Sequence, residues 1–264
     1  EELLLALNKD SYHQFSLNTL LDIYSKEREW NKAIATATEL EKISGISFRK
    51  NISHFYCEIA VIHILEKNNN QANDILRKAL DEHKDCVRAN ILLGDICETE
   101  EKFDEAISYW RKVEYQQPEY LGLVASKILN AYQRQNMLNE GLSTLSGFYD
   151  LYKLKTLLSI LYAAIMSNEG PKKAETMARN ELIQRPSLSA LDQLFEAQAI
   201  GKTSGISNIE LIQQTIKNAI GDRRFYSCNN CGFKARQFHW HCPACNSWES
   251  LPSEPIDIIM DNKI

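Results

Sequence analysis

Apolar residues recur at intervals of three and four along most of the chain, which is the spacing of one face of an α-helix. The pattern is clearest over residues 85–118, where two such stretches are separated by a short polar turn. Pro118 follows the second stretch, and proline ends a helix because it has no amide proton and clashes with the preceding turn. The pattern predicts two amphipathic helices, and the positions that carry it are Leu93, Gly94, Cys97, Ala106, Trp110 and Val113.

Small residues occupy the points at which the two predicted helices would cross. Gly94 in the first helix and Ala106 in the second allow a close approach, since larger side chains would push the backbones apart. Trp110 is then expected to fill the gap toward the next pair of helices. A small residue in the first helix, followed by Ala-x3-aromatic in the second, is typical of a tetratricopeptide hairpin.

The same arrangement recurs along the chain at a step of about 34 residues. One longer step, from Ala33 to Ala72, indicates a short insertion near residues 44–51. Five hairpins are recognisable, and a weaker sixth is predicted over residues 189–200 and 209–220. We therefore expect an all-α tetratricopeptide-repeat solenoid whose first helices line a concave binding surface. Equivalent positions in the other hairpins include Ala37, Ala79, Tyr132, Gly141, Tyr162, Ala174 and Ala178.

Composition and charge argue against several classes of function. The chain has 264 residues, a net charge of −5 and a pI near 5.8, so no overall positive field attracts nucleic acid or an acidic membrane surface. The sequence has no long apolar run of the kind that spans a membrane, and no phosphate-binding glycine loop. Its histidines stand at no fixed spacing from a nucleophile or a paired carboxylate. We expect a protein that binds other proteins and is not an enzyme.

Four of the seven cysteines form two close pairs near the C-terminus, in the order C-x2-C-x10-C-x2-C. The two-residue gap lets a tight turn direct both sulfurs at one ion, and two facing turns form a tetrahedral four-thiolate site. The expected metal ligands are Cys228, Cys231, Cys242 and Cys245. An odd total with two such pairs indicates reduced thiols and a reducing compartment, with two disulfides in a secreted protein as the alternative.

The metal is expected to hold this segment in its fold. So short a stretch cannot bury enough apolar surface to fold alone, so metal binding supplies the free energy, on the order of 10 kcal/mol for zinc. Iron and zinc both suit four sulfur ligands, and the choice between them stays open. Gly232 follows the first pair, where a positive φ is expected. His239 and His241 flank the second pair and could replace a ligand, although four well-spaced cysteines make this unnecessary.

Aromatic and basic residues surround the cysteines. The aromatic residues are expected to form a small core shared with the last helical hairpin, with stacking on nucleic-acid bases as the alternative. The basic residues are expected to offset the negative charge of a four-thiolate site. The aromatic set is Phe225, Phe233, Phe238, Trp240 and Trp248, and the basic set is Arg223, Arg224, Lys234 and Arg236.

Tetratricopeptide repeats followed directly by this cysteine module resemble the lipopolysaccharide assembly protein B family of Gram-negative bacteria. The features that carry the resemblance are Cys-Gly-Phe after the first pair and Trp-His-Cys-Pro-Ala-Cys around the second, with their order and spacing. The resemblance covers essentially the whole chain. It implies a rubredoxin-like module whose metal ligands fall on Cys228, Cys231, Cys242 and Cys245.

The resemblance also implies a function. Members of the family act as adaptors between a membrane-anchored AAA+ protease and the deacetylase that commits precursors to lipid A synthesis. They lie on the cytoplasmic face of the inner membrane, anchored by an N-terminal helix that is expected to be missing from this sequence. A further inner-membrane protein antagonises the adaptor, and a homodimer is possible. The tail through Ile256 and Ile259 is longer and more apolar than the family suggests.

The sequence therefore predicts three segments: a repeat solenoid over residues 1–221, a rubredoxin-like module over residues 222–252 and a tail over residues 253–264. Two alternative functions stay open. A four-cysteine site can hold redox-active iron, which would make the protein an electron carrier, or a zinc ribbon could bind nucleic acid. The acidic pI disfavours the second of these.

Overall fold

A computed structural model of the chain describes residues 10–201 and 224–257. The chain divides into two compact units, Glu1–Pro118 and Glu119–Ile264. In the described part of the first unit, six α-helices form three hairpins. The helices are α1 (Asp10–Lys26), α2 (Trp30–Ser44), α3 (Arg49–Leu65), α4 (Asn69–Glu82), α5 (Val87–Thr99) and α6 (Phe103–Gln116).

Small residues form the contact between the helices of each hairpin, as the repeat predicts. Ala33, Ala37, Ala72, Ala79 and Ala106 are fully buried. The insertion expected near residues 44–51 corresponds to the loop between α2 and α3. This loop begins at a glycine with a φ of 68°, a left-handed conformation that ends a helix at little cost.

Trp110 packs against Gly94 within its own hairpin, a contact that the sequence analysis did not predict. The sequence analysis expected its ring to fill the gap toward the next hairpin. A Cβ atom added to Gly94 would lie 2.4 Å from Nε1 of Trp110 and 2.6 Å from its Cδ1. The indole ring therefore occupies the space that the missing side chain of Gly94 leaves. Its N–H donates to the Ile91 carbonyl, at 3.3 Å, and to Oδ1 of Asp95, at 3.1 Å. Glycine is needed in α5 because a tryptophan, and not only a neighbouring backbone, lies against it.

The prediction that Pro118 ends the second helix of this hairpin is confirmed. Helix α6 stops at Gln116, and Gln117 is extended with a φ of −153°, as expected for the residue before a proline. Pro118 then begins a short 3-10 helix, Pro118–Leu123.

The second unit contains further hairpins. Its helices are α7 (Ala125–Arg134), α8 (Leu138–Tyr152), α9 (Lys155–Glu169), α10 (Pro171–Gln184) and α11 (Leu188–Gly201). Ala174 and Ala178 are fully buried, as the repeat predicts. Helix α11 matches the first helix of the weak sixth hairpin, whereas residues 209–220 lie outside the described part of the chain.

Three short strands follow: β1 (Arg224–Ser227), β2 (Lys234–Ala235) and β3 (Ile256–Asp257). Both neighbours of β1 are antiparallel to it, and the strand order is β2-β1-β3. Tyr226 is opposite Ala235, and Phe225 is opposite Ile256. Ile256 and Asp257 belong to the apolar tail, for which the sequence analysis predicted no role. They form an edge strand of this sheet.

The fold class predicted from the sequence is confirmed: tetratricopeptide-type helical hairpins end in a small four-cysteine domain. Across residues 10–201 and 224–257, no helix combines the length and the apolarity needed to cross a membrane.

Candidate metal centre

The first cysteine pair lies on a tight turn between β1 and β2. The Cys228 amide donates to the Phe233 carbonyl at 2.8 Å, and the Gly232 amide donates to the Cys228 carbonyl at 2.8 Å. Gly232 has a φ of 73°, and an added Cβ there would meet no atom within 4 Å. The glycine predicted from the sequence is therefore needed for its backbone conformation and not for space.

The second pair lies on a turn with the same hydrogen bonds. The Cys242 amide donates to the Ser247 carbonyl at 2.9 Å, and the Asn246 amide donates to the Cys242 carbonyl at 2.9 Å. Asn246 has a φ of 57°, so it occupies the place that Gly232 has in the first turn. Asparagine tolerates this left-handed conformation better than most residues do. The sequence analysis missed Asn246, although it has the same offset from Cys242 as Gly232 has from Cys228.

The two turns bring together the four sulfurs that the sequence singled out. All four Sγ atoms lie within 4.8 Å of one another. Across the turns, Sγ of Cys228 is 3.7 Å from Sγ of Cys245, and Sγ of Cys231 is 3.8 Å from Sγ of Cys242. A tetrahedron with metal–sulfur bonds of about 2.3 Å has edges of about 3.8 Å. The four cysteines form no disulfide, and their arrangement fits a single tetrahedral ion.

Two of the thiols are easier to ionise than an ordinary cysteine. The hydrogen bond between Sγ of Cys245 and Oγ of Ser247, 3.4 Å apart, and the one that Nδ2 of Asn230 donates to Sγ lower the pKa of the Cys245 thiol to about 5. At Cys228, burial opposes the thiolate, but the hydroxyl of Ser250, 3.3 Å from Sγ, and backbone amides of the turn outweigh it and lower the pKa.

The other two thiols are harder to ionise. At Cys231 the Phe233 amide favours the thiolate, but burial and the hydrogen bonds with neighbouring thiols prevail and raise the pKa to about 12. Burial raises the pKa of Cys242. Four adjacent thiolates repel one another, so complete ionisation of this cluster requires a cation among the sulfurs.

The two histidines beside the second pair are not among the clustered ligand atoms of the described residues. Nε2 of His241 lies 2.9 Å from the Asn246 carbonyl, and its ring packs on Trp248 with a centroid separation of 4.5 Å. His239 is exposed. Of the basic residues expected to offset the thiolate charge, Lys234 and Arg236 are exposed and Arg223 lies outside the described residues.

The module packs on the second unit's helices through Tyr120 in the 3-10 helix. The Tyr120 ring is fully buried and stacks on Trp240 with centroids 5.4 Å apart, and it meets Phe238 edge-on at 6.1 Å. Burial, reinforced by the Glu249 carboxylate, raises the pKa of Tyr120 well above its ordinary value. The sequence analysis predicted an aromatic core shared with the last hairpin, and residues 209–220 of that hairpin lie outside the described part of the chain. Among the described residues, Phe238 and Trp240 contact Tyr120 of the 3-10 helix, and Trp248 pairs with His241.

A second connection runs from the end of the module to α9. The carboxylate of Glu254 accepts hydrogen bonds from the Lys155 amide at 3.1 Å, from the Thr156 amide at 3.3 Å and from the Thr156 hydroxyl. The hydroxyl of Ser253 donates to the Glu119 carbonyl at 2.6 Å. Free amides and a positive partial charge at a helix N-terminus make a carboxylate stabilising there. Glu254 therefore caps α9 from a distant point in the sequence.

Comparison with known proteins agrees with this geometry. A family model described as a rubredoxin metal binding domain matches residues 226–252, the segment that contains both cysteine turns. Lipopolysaccharide assembly protein B of Haemophilus influenzae is 25% identical over 251 residues, which are 94% of this chain and 63% of that protein. The chain is similar to lipopolysaccharide assembly protein B over nearly its whole length. The resemblance inferred from the sequence is therefore confirmed.

Lipopolysaccharide assembly protein B of Escherichia coli K12 gives the same result, with 24% identity over 238 residues that cover 89% of this chain and 61% of that protein. The chain thus spans less than two thirds of the length of these relatives. Among solved structures, pilF of Pseudomonas aeruginosa aligns with 78% of this chain and 90% of its own at 11% identity and a TM-score of 0.44.

Proposed function

We propose that the chain is a non-catalytic adaptor that regulates lipopolysaccharide biosynthesis by presenting the lipid A pathway deacetylase to a membrane-anchored AAA+ protease. The observation that carries this proposal is the similarity to lipopolysaccharide assembly protein B, which extends over 94% of the chain and includes both the helical hairpins and the cysteine module. The similarity supports a role in lipopolysaccharide assembly. The presentation of a deacetylase to a protease is proposed from what the family resemblance in the sequence implies.

The site chemistry is that of a structural metal module. Cys228, Cys231, Cys242 and Cys245 are the four ligands of one iron or zinc ion. When bound, such an ion supplies folding free energy, on the order of 10 kcal/mol, and has no open position for a substrate. The ring of Tyr120 and the carboxylate of Glu254 then hold the folded module against the helices of the second unit. Module and helices present their surfaces to partners in a fixed arrangement.

The adaptor acts at the cytoplasmic face of the inner membrane, where an N-terminal helix of the full protein anchors it. Its partners there are the protease, the deacetylase, an inner-membrane regulator that responds to lipopolysaccharide level and, as a homodimer, a second copy of itself. Nucleic acid is not among them, since the acidic pI disfavours a polyanion. An electron-carrier function is not favoured either, because the similarity to lipopolysaccharide assembly proteins extends far beyond the cysteine module.

The direct test is the cellular half-life of the deacetylase in the native host. Depleting the protein should lengthen that half-life several-fold. Restoring the wild-type protein or a Cys97→Ala variant should shorten it again, whereas Cys228→Ser should not. Cys97 is a buried cysteine outside the cluster, so it controls for loss of a thiol as such. A half-life that does not respond to depletion would refute the adaptor function.

A further inference from the structure

Two of the three cysteines outside the metal centre lie side by side in the core of the first unit. Sγ of Cys57, in α3, is 3.8 Å from Sγ of Cys86, the residue before α5, and both side chains are fully buried. A disulfide bond is about 2.05 Å long, so the sulfurs would have to approach each other by only about 1.8 Å to form one. Cys97 lies eleven residues after Cys86, about 16 Å farther along α5.

The surroundings of this pair favour a neutral product. Buried alanines and leucines, among them Ala60, Leu76 and Ala89, form one cluster with the two cysteines. In the metal centre, sulfurs at the same separation belong to a set of four, whereas this pair contains two. A disulfide carries no charge, so it can form in an apolar cluster without the desolvation cost that a thiolate pair would carry.

The two thiols differ in their local environment. Cys86 occupies the N-cap position of α5, where the amides of the first turn and the positive end of the helix stabilise a thiolate. A ring nitrogen of His54 lies within 4.8 Å of its Sγ and can accept the thiol proton. Cys57 lies in the middle of α3, away from any helix N-terminus. Cys86 is therefore the better nucleophile of the pair.

Cys86 also lies close to the surface in the chain. Lys84 and Asp85, directly before it, are exposed, and the turn is closed by the Cys86 amide, which donates to the His83 carbonyl at 3.0 Å. Local opening of this turn would expose Cys86 without unfolding the hairpins. A small, uncharged oxidant can then reach its sulfur.

We propose that Cys57 and Cys86 form an oxidative modification site at which hydrogen peroxide produces a disulfide bond. The Cys86 thiolate attacks one peroxide oxygen and the O–O bond breaks. The hydroxide that leaves takes the proton held by the His54 ring, which gives water and a sulfenic acid on Cys86. The Cys57 sulfur then attacks the Cys86 sulfur, the S–O bond breaks, and the departing hydroxide takes the Cys57 proton as a second water.

In total, two thiols and one peroxide give one disulfide and two waters, and a dithiol reductant reverses the change. The bond joins α3 to the start of α5 and encloses α4 between them. It would restrict the movement of the second hairpin relative to the third during exposure to peroxide. This inference goes beyond the adaptor function and does not depend on it.

The test exposes the whole, zinc-loaded chain to hydrogen peroxide at a concentration that releases no zinc from the metal centre. Alkylation and tryptic digestion without reduction follow. Cleavage after lysine and arginine places the three cysteines in separate peptides, 51–67, 85–88 and 89–102. Mass spectrometry should find 51–67 joined to 85–88, about 2 Da lighter than the two peptides combined, and dithiothreitol should separate them.

Variants of the protein assign the role of each thiol. Cys97→Ala is the matched control and should give the same joined peptides as wild type. Cys57→Ala should form no cross-link and should accumulate sulfenic acid on Cys86, which dimedone labels, whereas Cys86→Ala should leave Cys57 unlabelled. His54→Gln should slow the labelling of Cys86 at least about fivefold. Circular dichroism and thermal melting confirm that each variant folds, and the two cysteine variants are read independently.

Four results would overturn the proposal. The first is survival of both thiols at peroxide concentrations that already release zinc from the metal centre. The second is a comparable yield of peptides joined to 89–102, because an unfolded chain pairs its cysteines without selection and closes the shorter loop more readily. The third is equal dimedone labelling of Cys57 in the Cys86→Ala variant. The fourth is a second equivalent of zinc that the wild type binds and Cys86→Ala loses, which would assign the pair to a metal ion.

Discussion

Replacing Gly94 with alanine, in the middle of α5, should have two opposing effects on the free energy of unfolding. In an exposed helix, alanine in place of glycine stabilises the protein by about 0.5–1 kcal/mol, because glycine loses more backbone entropy on folding. At Gly94 the new methyl group would lie 2.4 Å from Nε1 of Trp110 and 2.6 Å from Cδ1. Ordinary carbon contacts are about 3.5–4.0 Å, so the ring or the helix must move.

The ring has little room to move. Trp110 is fully buried, and its N–H donates to the Ile91 carbonyl and to the Asp95 carboxylate. Overpacking of this kind costs about 1–3 kcal/mol, and losing the indole hydrogen bond costs about 0.5–1.5 kcal/mol more. After the helix-propensity gain is subtracted, Gly94→Ala should lower the free energy of unfolding by about 0.5–4 kcal/mol.

Gly147→Ala is the matched control, since Gly147 is an exposed residue in α8 and an added Cβ would meet no atom within 4 Å. It should raise the free energy of unfolding by about 0.5–1 kcal/mol. Urea unfolding followed by circular dichroism measures both changes, provided that the slope of the transition is the same in each variant. In a Trp110→Leu background the cost of Gly94→Ala should fall by at least about 1 kcal/mol. Equal stabilisation by the two glycine replacements would refute the reasoning.

Three further predictions concern the metal centre and two hydrogen bonds. Cys228→Ser should lose the bound metal and lower the melting temperature, whereas Cys97→Ala should keep a full equivalent of metal by elemental analysis; equal metal content would contradict the ligand assignment. Glu254→Gln should destabilise the protein by about 1 kcal/mol, or 2–4 °C in thermal melting, because a neutral amide caps α9 less well. Tyr149→Phe should cost about 1–2 kcal/mol in urea unfolding at pH 7, because the hydroxyl bonds to Glu181. Burial and this carboxylate raise the pKa of Tyr149, so its contribution is complete below about pH 10 and is lost at higher pH, and the difference from wild type should shrink there.

Most of the helical part could be predicted from the sequence because its determinants are local. The spacing of apolar residues predicts the helices, and the buried alanines mark where they cross. Pro118 ends α6 through the chemistry of its own ring. The cysteine turns could be predicted equally well, since the two-residue gap between Cys228 and Cys231 limits the conformations of the turn.

The contacts that join the module to the helices could not be predicted in this way. Tyr120 and Trp240 are far apart in sequence, and nothing in the local pattern of either residue identifies the other as its partner. Glu254 lies in an apolar tail, and a single carboxylate there gives no sign that it caps a helix. Trp110 was recognised as a packing residue, but its contact with Gly94 in the same hairpin was not predicted, because periodicity gives the face of a helix and not the partner across it.

The cap on α9 also has a consequence for the order of events during protein synthesis. Thr156 and Glu254 are separated by 98 residues. At about 5–20 residues per second, translation needs roughly 5–20 s to add that length. Helix α9 therefore emerges from the ribosome before Glu254 has been synthesised. The contact can form only when nearly all of this sequence has been made. The hairpins before it pack within milliseconds or less by comparison, so on the ribosome the second unit exists for a time as helices without their metal module.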